Sequence, residues 1–174
     1  MSNITTRQAV LSDIDVLAPL FDGYRQFYGR ASDILAARAF LLERFNHGES
    51  VIFLAFEGDV PLGFTQLYPS FSSVSLAHVF VLNDLFVSEQ ARRRGAALKL
   101  LTAATEFAKE VGAVRVSLST ATTNETAQAL YQSSGWKRDE QFFVYHFHDL
   151  VKSSSSASVI ASPDSSSVAT HSPS

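Results

Sequence analysis

Three consecutive arginines, Arg92, Arg93 and Arg94, stand before Gly95, Ala96 and Ala97, where a β-rich run ending at Val87 gives way to a helical pattern. Arginine opposes the positive end of a helix, which favours Asp or Glu, so this placement is locally frustrated. A bound anion relieves it. Free backbone N–H groups, the helix dipole and guanidinium forks all favour a phosphate or pyrophosphate there. Gly95 and the small Ala96 and Ala97 let the amides approach its oxygens closely. On charge alone, a solvated basic cluster accounts for the arginines equally well. Two common nucleotide loops are excluded: no G-x-G-x-x-G follows a strand, and no G-x-x-x-x-G-K-[ST] occurs.

Two further side chains are of a type that could move protons. Asp84 is the one carboxylate in an apolar stretch, residues 76–87, with Leu82, Leu85 and Phe86 around it. Carboxylates are disfavoured in strands, so this one either anchors backbone or an arginine, or it orients a cation and handles its proton. Tyr131 shares a helical stripe with Ala127, Leu130 and Ser134, which turns its phenol inward as either a core ring or a proton donor. Asn124 is placed to cap that helix or to touch a ligand, and Thr122-x-x-Glu125 offers a competing capping box. His146-x-His148 shows one face of a strand two imidazoles without a third ligand, so no metal is expected. With no cysteine, disulfides and thiol nucleophiles are excluded.

The elements that must position these groups follow from periodicity. A strand over 4–9 leads, from a Ser12 cap, into a helix carrying Ile14, Leu17, Leu20, Phe21 and Tyr24. A second helix runs from Ser32 or Asp33 to Gly48. Residues 51–56 and 62–68 flank Glu57, Gly58 and Asp59 as a hairpin. The central strand is 76–87. A helix carrying Ala97, Leu100, Ala104, Phe107 and Val111 ends at Gly112, and a strand over 114–118, a helix over 124–134 and a last strand over 142–147 follow. This order predicts an α/β domain whose mixed sheet has helices on both faces, with a parallel crossover from the central strand to 114–118.

Together the motifs resemble one family. Arg92-x-x-Gly95-x-Ala97 has the form of the pyrophosphate loop of the GCN5-related N-acetyltransferases, and the strand ending Asn83-Asp84-Leu85-Phe86-Val87 is similar to that family's fourth. Asn124-x-x-Ala127-x-x-Leu130-Tyr131, then Gly135-Trp136, looks like a further family segment in the correct order. The resemblance implies a single domain with a mostly antiparallel sheet of six to seven strands, splayed between the fourth and fifth. It implies acetyl-CoA as co-substrate, held by Leu85, Phe86 and Val87, by residues Arg92 to Ala97 and by Asn124. Tyr131 would be the general acid and Asp84 the group that meets the ammonium. The acceptor pocket would draw on Tyr24, Tyr28, Asp33 and Tyr68, with Phe27, Phe71, Ser72 and Ser73 nearby. Tyr24 and Tyr28 also read simply as core aromatics.

The strand resembles those of Hpa-type and polyamine N-acetyltransferases, but Asn83 stands where the latter carry a first acid, which argues against a multiply charged acceptor. The implied reaction is acetyl transfer to a primary amine of a small molecule, such as an amino acid or a polyamine-like compound. A protein lysine or histone tail is the alternative acceptor, and a non-catalytic acyl-CoA sensor the alternative class. A homodimer is also implied.

Length and composition set the frame. The 174 residues suit one domain, 1–152, followed by a stretch, 153–174, that is half serine and carries Asp164 as its one charge; it is expected to be disordered, either as a regulatory tail or as a tolerated extension. Fourteen Lys and Arg against seventeen Asp and Glu give a net charge of −3, which argues against a nucleic-acid partner. No apolar run approaches the roughly 20 residues of a membrane span and no secretory signal is visible, so an intracellular, cytoplasmic protein without a membrane partner is expected.

Overall fold

A computed structural model describes residues 3–151. The serine-rich stretch 153–174 lies outside the described residues. The order is β1 (Ile4–Gln8), a 3-10 turn (Leu11–Asp13), α1 (Ile14–Phe27), α2 (Ile34–His47), β2 (Val51–Glu57), β3 (Val60–Ser72), β4 (Ala77–Val87), a second 3-10 turn (Glu89–Ala91), α3 (Ala96–Glu110), β5 (Arg115–Ser117) and α4 (Glu125–Ser133). Among the described residues no helix is long and apolar enough to cross a membrane.

Short-range polar contacts set the element boundaries. Asp13 accepts two hydrogen bonds from the Arg7 guanidinium, at 2.7 and 2.8 Å, and one from the Val10 N–H at 2.8 Å, so β1 is tied to the start of α1. Asp33 caps α2 by accepting from the Ala36 N–H at 3.0 Å. The α1–α2 loop closes over buried Asp22, which accepts from the Ser32 hydroxyl, the Asp33 N–H and the Gln26 amide.

The strands form one mixed sheet in the order β1-β2-β3-β4-β5, antiparallel from β1 to β4 and parallel between β4 and β5. A parallel neighbour needs a crossover, and α3 supplies it across one face. On that face α3 and α4 bury Leu100, Leu101, Ala104, Ala127 and Tyr131 against Phe53, Leu67, Phe80, Leu82, Leu85 and Val87. On the other face α1 and α2 bury Leu17, Phe21, Tyr24 and Leu41 against Ile52, Leu54, Phe64 and Phe86.

One extra residue governs this division. Gln66 pairs with Asp84 and Leu67 with Leu82, leaving Asn83 as a bulge in β4. Side chains alternate along a strand, so the bulge reverses the alternation: Phe80 and Leu82 share the α3 face with Leu85 and Val87, while Asp84 and Phe86 face α1 and α2.

The sheet has five strands among the described residues, not six to seven, and it is mixed rather than mostly antiparallel. One expected strand is absent and another is shortened. The stretch 114–118 is reduced to Arg115–Ser117, which pairs only with residues 79–81. Residues 142–147 form no ladder and are exposed, because an apolar run specifies a need for burial without specifying its partner. Beyond Val81, β4 runs on to Val87 with no strand on that edge among the described residues.

At Gly63, which pairs with both Ala55 and Val87, a Cβ would collide with the Phe86 carbonyl oxygen and meet the Val87 Cα at 3.0 Å. The obstruction is backbone, so it cannot rotate away. Gly63→Ala is therefore expected to destabilise the fold by about 1–3 kcal/mol, the usual scale of overpacking, as read from urea unfolding; unchanged stability would mean that β3 and β4 separate freely at this point.

Candidate active site

The bulge delivers Asp84 into the α1 side of the sheet, where it is 1% exposed. The Gln66 amide Nε2 donates to its Oδ2, and the Asn83 amide Nδ2 donates to its Oδ1 at 2.8 Å. The Tyr24 hydroxyl also hydrogen-bonds the carboxylate and lies 3.4 Å from the Asn83 carbonyl oxygen. Gln66 is fully buried, and the same Nε2 donates to the Tyr68 hydroxyl at 3.0 Å. Its Oε1 is buried with no hydrogen-bond partner among the described residues. Below the carboxylate, the Thr65 hydroxyl donates to the Asp84 backbone carbonyl at 2.8 Å, locking the strand at this residue.

Three tyrosines surround the group. Tyr24 and Tyr28 pack edge to face with ring centroids 5.1 Å apart, one turn apart on α1, and Tyr68 comes from β3. Burial, then the charge of Asp84, pushes all three phenols far above the ordinary tyrosine range, so they remain protonated donors. Burial pushes the Asp84 carboxyl up to about 6, against the opposing pull of its hydrogen bonds from Gln66, Asn83 and Tyr24. No salt bridge among the described residues reaches it. A buried carboxylate with donors but no ion-pair partner is an arrangement suited to an incoming cation.

The opposite end of the site is built from backbone. Gly95, at φ +87°, caps α3 without a side-chain hydrogen bond, and no acid occupies the first turn. Arg93 is also left-handed, at φ +63°, so the turn into α3 has a concave run of the kind that binds anions through amides. The arginines divide their roles. Arg92 Nε donates to the Val87 carbonyl at 3.2 Å and its guanidinium lies over the Phe27 ring; Arg94 is ion-paired with Glu57; Arg93 is exposed. Ala96 is buried and Ala97 half-buried beneath this turn.

Tyr131 is buried in the α3-side core, with its ring centroid 6.2 Å from that of Trp136. It therefore lies on the other face of the sheet from Asp84, with the open edge of β4 at Leu85, Phe86 and Val87 belonging to the strand between them. Asn124 is the cap of α4: its Oδ1 accepts from the Ala127 N–H at 3.1 Å, and the helix begins at Glu125 rather than after Thr122. Asp33 is exposed and occupied as the cap of α2. The structure thus brings Asp84, Tyr24, Tyr28 and Tyr68 together and leaves Asp33 outside that cluster's hydrogen bonds. Gln66 escaped the reading of the sequence, although an amide inside the apolar run 62–68 is a visible signal. His146 and His148 have ring centroids 5.9 Å apart, and no group of three metal-binding side chains forms among the described residues.

Comparison with known proteins settles the family. The Acetyltransferase (GNAT) family model matches residues 17–136. The chain belongs to this family. An uncharacterized N-acetyltransferase of Bacillus subtilis (strain 168), YhfO, is 48% identical over 139 residues, 80% of this chain and 93% of that one. The crystal structure of a probable acetyltransferase is 45% identical and superposes with a TM-score of 0.81, covering 85% of this chain and 99% of that one. An aminoglycoside N-acetyltransferase solved with CoA is 21% identical with a TM-score of 0.69 over 84% of this chain and 96% of that one, a likeness of fold. The protein is accordingly an acetyl-CoA-dependent N-acetyltransferase. The uncapped α3 N-terminus and the unpartnered edge of β4 fit that co-substrate's pyrophosphate and extended amide-bearing arm respectively.

The raised Asp84 pKa has a consequence for stability. The folded chain binds this proton more tightly than the unfolded chain does, so folding loses stability as pH rises from about 4 through about 6, and the penalty persists above. Asp84→Asn removes the penalty. The variant should be more stable than the parent at pH 7–8, on the order of 2 kcal/mol, with the gap closing toward pH 4. Urea unfolding at the two pH values measures this, and a variant destabilised equally at both would show that the carboxylate is held by partners rather than strained by burial.

Proposed function

We propose that the enzyme acetylates the primary amine of a small molecule by direct attack on the thioester, with Asp84 receiving the ammonium and Tyr131 protonating the departing thiolate. The observation that carries this reading is the buried Asp84 carboxylate, ringed by Tyr24, Tyr28 and Tyr68 and without an ion-pair partner among the described residues. An enclosed aromatic wall around one carboxylate suits a single ammonium on a compact molecule, and cation–π attraction adds to the charge pairing.

Acetyl-CoA supplies the acetyl group as an activated thioester. The chain's own groups then divide the work. The amides of the turn at Arg93, Arg94 and Gly95, with the α3 dipole, hold the phosphates, and β4 backbone groups at Leu85, Phe86 and Val87 hold the arm and polarise the carbonyl. Asp84 and Gln66 Oε1 hold the ammonium. An alkylammonium titrates near 10.4 in water, but desolvation lowers it while burial raises the carboxyl to about 6, so transfer of the proton to Asp84 becomes progressively easier in the closed site. As the C–N bond forms and the C–S bond breaks, Tyr131 gives its proton to sulfur, the nitrogen sheds its second proton through water, which restores the Tyr131 phenol, and the proton held on Asp84 is released to water. Attack from the α1 side and protonation from the α3 side keep the two proton transfers apart.

Release of free CoA thiol, followed over polyamines, amino acids, aminoglycosides and histone-tail peptides, tests the acceptor class. A small amine should be the best substrate, whereas turnover confined to peptides would make the protein-lysine reading correct. Tyr131→Phe should lower kcat by about 10²–10⁴ with acetyl-CoA affinity kept. Native turnover in that variant would remove Tyr131 from its role. In kcat/KM for the amine, activity should fall below pH of about 6 as Asp84 takes up its proton, and Asp84→Asn should lose both the rate and that limb.

A further inference from the structure

Asp84 and the buried, unpartnered Gln66 Oε1 are both acceptors, and a set of unspent donors stands beside them. The Tyr68 hydroxyl accepts from Gln66 Nε2 at 3.0 Å, and its own hydrogen meets no acceptor among the described residues. Across the sheet, Ile52 pairs with Gln66 and Val51 with Leu67, so one step further along Ser50 stands opposite Tyr68. Alternation puts Ser50 on the face of Ile52 and Leu54, the α1 and α2 side. Its Oγ is buried without a hydrogen-bond partner. A buried hydroxyl of this kind calls for an explanation.

The third donor comes from α2. Arg44 follows buried Ala37 and Leu41 on the stripe that α2 turns toward the sheet, and its guanidinium lies 4.6 Å from the centroid of the Phe40 ring. Its Nε donates at 3.2 Å to Glu49, the neighbour of Ser50, and Nη2 pairs with Glu43 at 3.2 Å; Nη1 has no partner among the described residues. Burial and the Asp84 charge push the Tyr68 phenol up while the Arg44 charge pulls it down, so the guanidinium is within electrostatic reach of that hydroxyl. The Arg44 side chain is 19% exposed, whereas those of Glu43 and Glu49 stand largely in solvent. Exposed acids of this kind hold an arginine weakly and turn to water at little cost, which leaves the guanidinium to an incoming anion. Arg44, Ser50 and Tyr68 are all half-buried, at the boundary between solvent and the enclosed carboxylate.

On the reading of the Asp84 cluster as the acceptor site, we propose that the acceptor is zwitterionic: an amino acid whose ammonium is met by Asp84 and Gln66 Oε1, and whose carboxylate is received by Arg44, Ser50 and Tyr68. The two halves of the site are complementary to the two ends of one molecule. A guanidinium and a carboxylate match as a fork, and the two hydroxyls complete the shell of the oxygens. A diamine would instead bring its second ammonium against Arg44. A lysine side chain within a peptide would leave the three donors unspent.

Release of free CoA thiol measures this over two matched series, alanine with alaninamide and ethylamine, and lysine with lysinamide and cadaverine. The series differ in the separation of amine and carboxylate. In at least one of them kcat/KM for the acid should exceed that for its amide and its amine by about 100-fold or more, mostly through KM, because analogues lacking the anion leave buried donors unpaired. Arg44→Gln should bring the members of that series within about 3-fold of one another, and Arg44→Lys should restore part of the preference. Amides and amines turned over as well as the acids in both series would overturn the proposal and leave the small-amine reading standing, whereas turnover confined to histone-tail peptides would remove both. An undiminished preference in Arg44→Gln would place carboxylate recognition elsewhere and also overturn it. Should that variant fail to fold, Ser50→Ala decides: the preference should fall by about 10-fold, and a preference equal to the parent's would overturn the proposal.

Discussion

The pairing of β3 with β4 spans ten residue pairs, and both hydrophobic cores hang from it, one on each face. Its register contains one surplus residue, Asn83. Without that residue the alternation of β4 would run unbroken, and half of the strand would face the wrong way. Either Phe80 and Leu82 would leave the α3-side core, or Asp84 would turn into it. The bulge therefore does two things with one backbone irregularity: it keeps the core of both halves intact, and it sets a carboxylate on the face lined by tyrosines. The amide of Asn83 itself then donates to the carboxylate that the bulge has aimed.

Asp84 is costly to the fold in its ionised state. Its environment provides donors, from Gln66, Asn83 and Tyr24, that make the carboxylate tolerable without neutralising it, and burial still holds its proton more tightly than water would. A full ion pair inside the protein would cancel the strain and with it the attraction for an ammonium. The start of α3 is left open in a similar way: no side chain caps the helix, and the turn into it is left-handed at Arg93 and Gly95. On the proposed reading, the co-substrate's phosphates and the acceptor's ammonium complete these two places.

Much of this was legible in the residues. The arginines do fall at a helix start without a side-chain cap, the lone strand carboxylate is buried, and the helical stripe of Tyr131 places it inward, as found. The assignment of guanidinium roles was not legible, because Arg92 and Arg94 find Val87 and Glu57 only once β2 and β4 are side by side. Gln66 was missed for a related reason: its importance lies in a cross-strand register that is shifted by one residue, which no spacing within β3 reveals. Asp33, which the resemblance groups with the acceptor residues, caps α2 by accepting from the Ala36 N–H, a role visible in its position before the helix. The strand expected over 142–147 has the right composition but joins no ladder among the described residues, since periodicity reports that a segment favours burial and is silent about what provides it.

The central claim is that Asp84, a buried carboxylate with hydrogen-bond donors but no ion-pair partner among the described residues, meets the acceptor ammonium. Titration of its side-chain carboxyl by carbon-13 NMR, in the free enzyme and with a saturating amine acceptor, addresses that claim most directly. The account predicts a midpoint near 6 in the free enzyme, well above an ordinary aspartate, and a clear fall when the amine is bound because the ammonium favours the ionised form. A midpoint that does not move on binding the amine would contradict it.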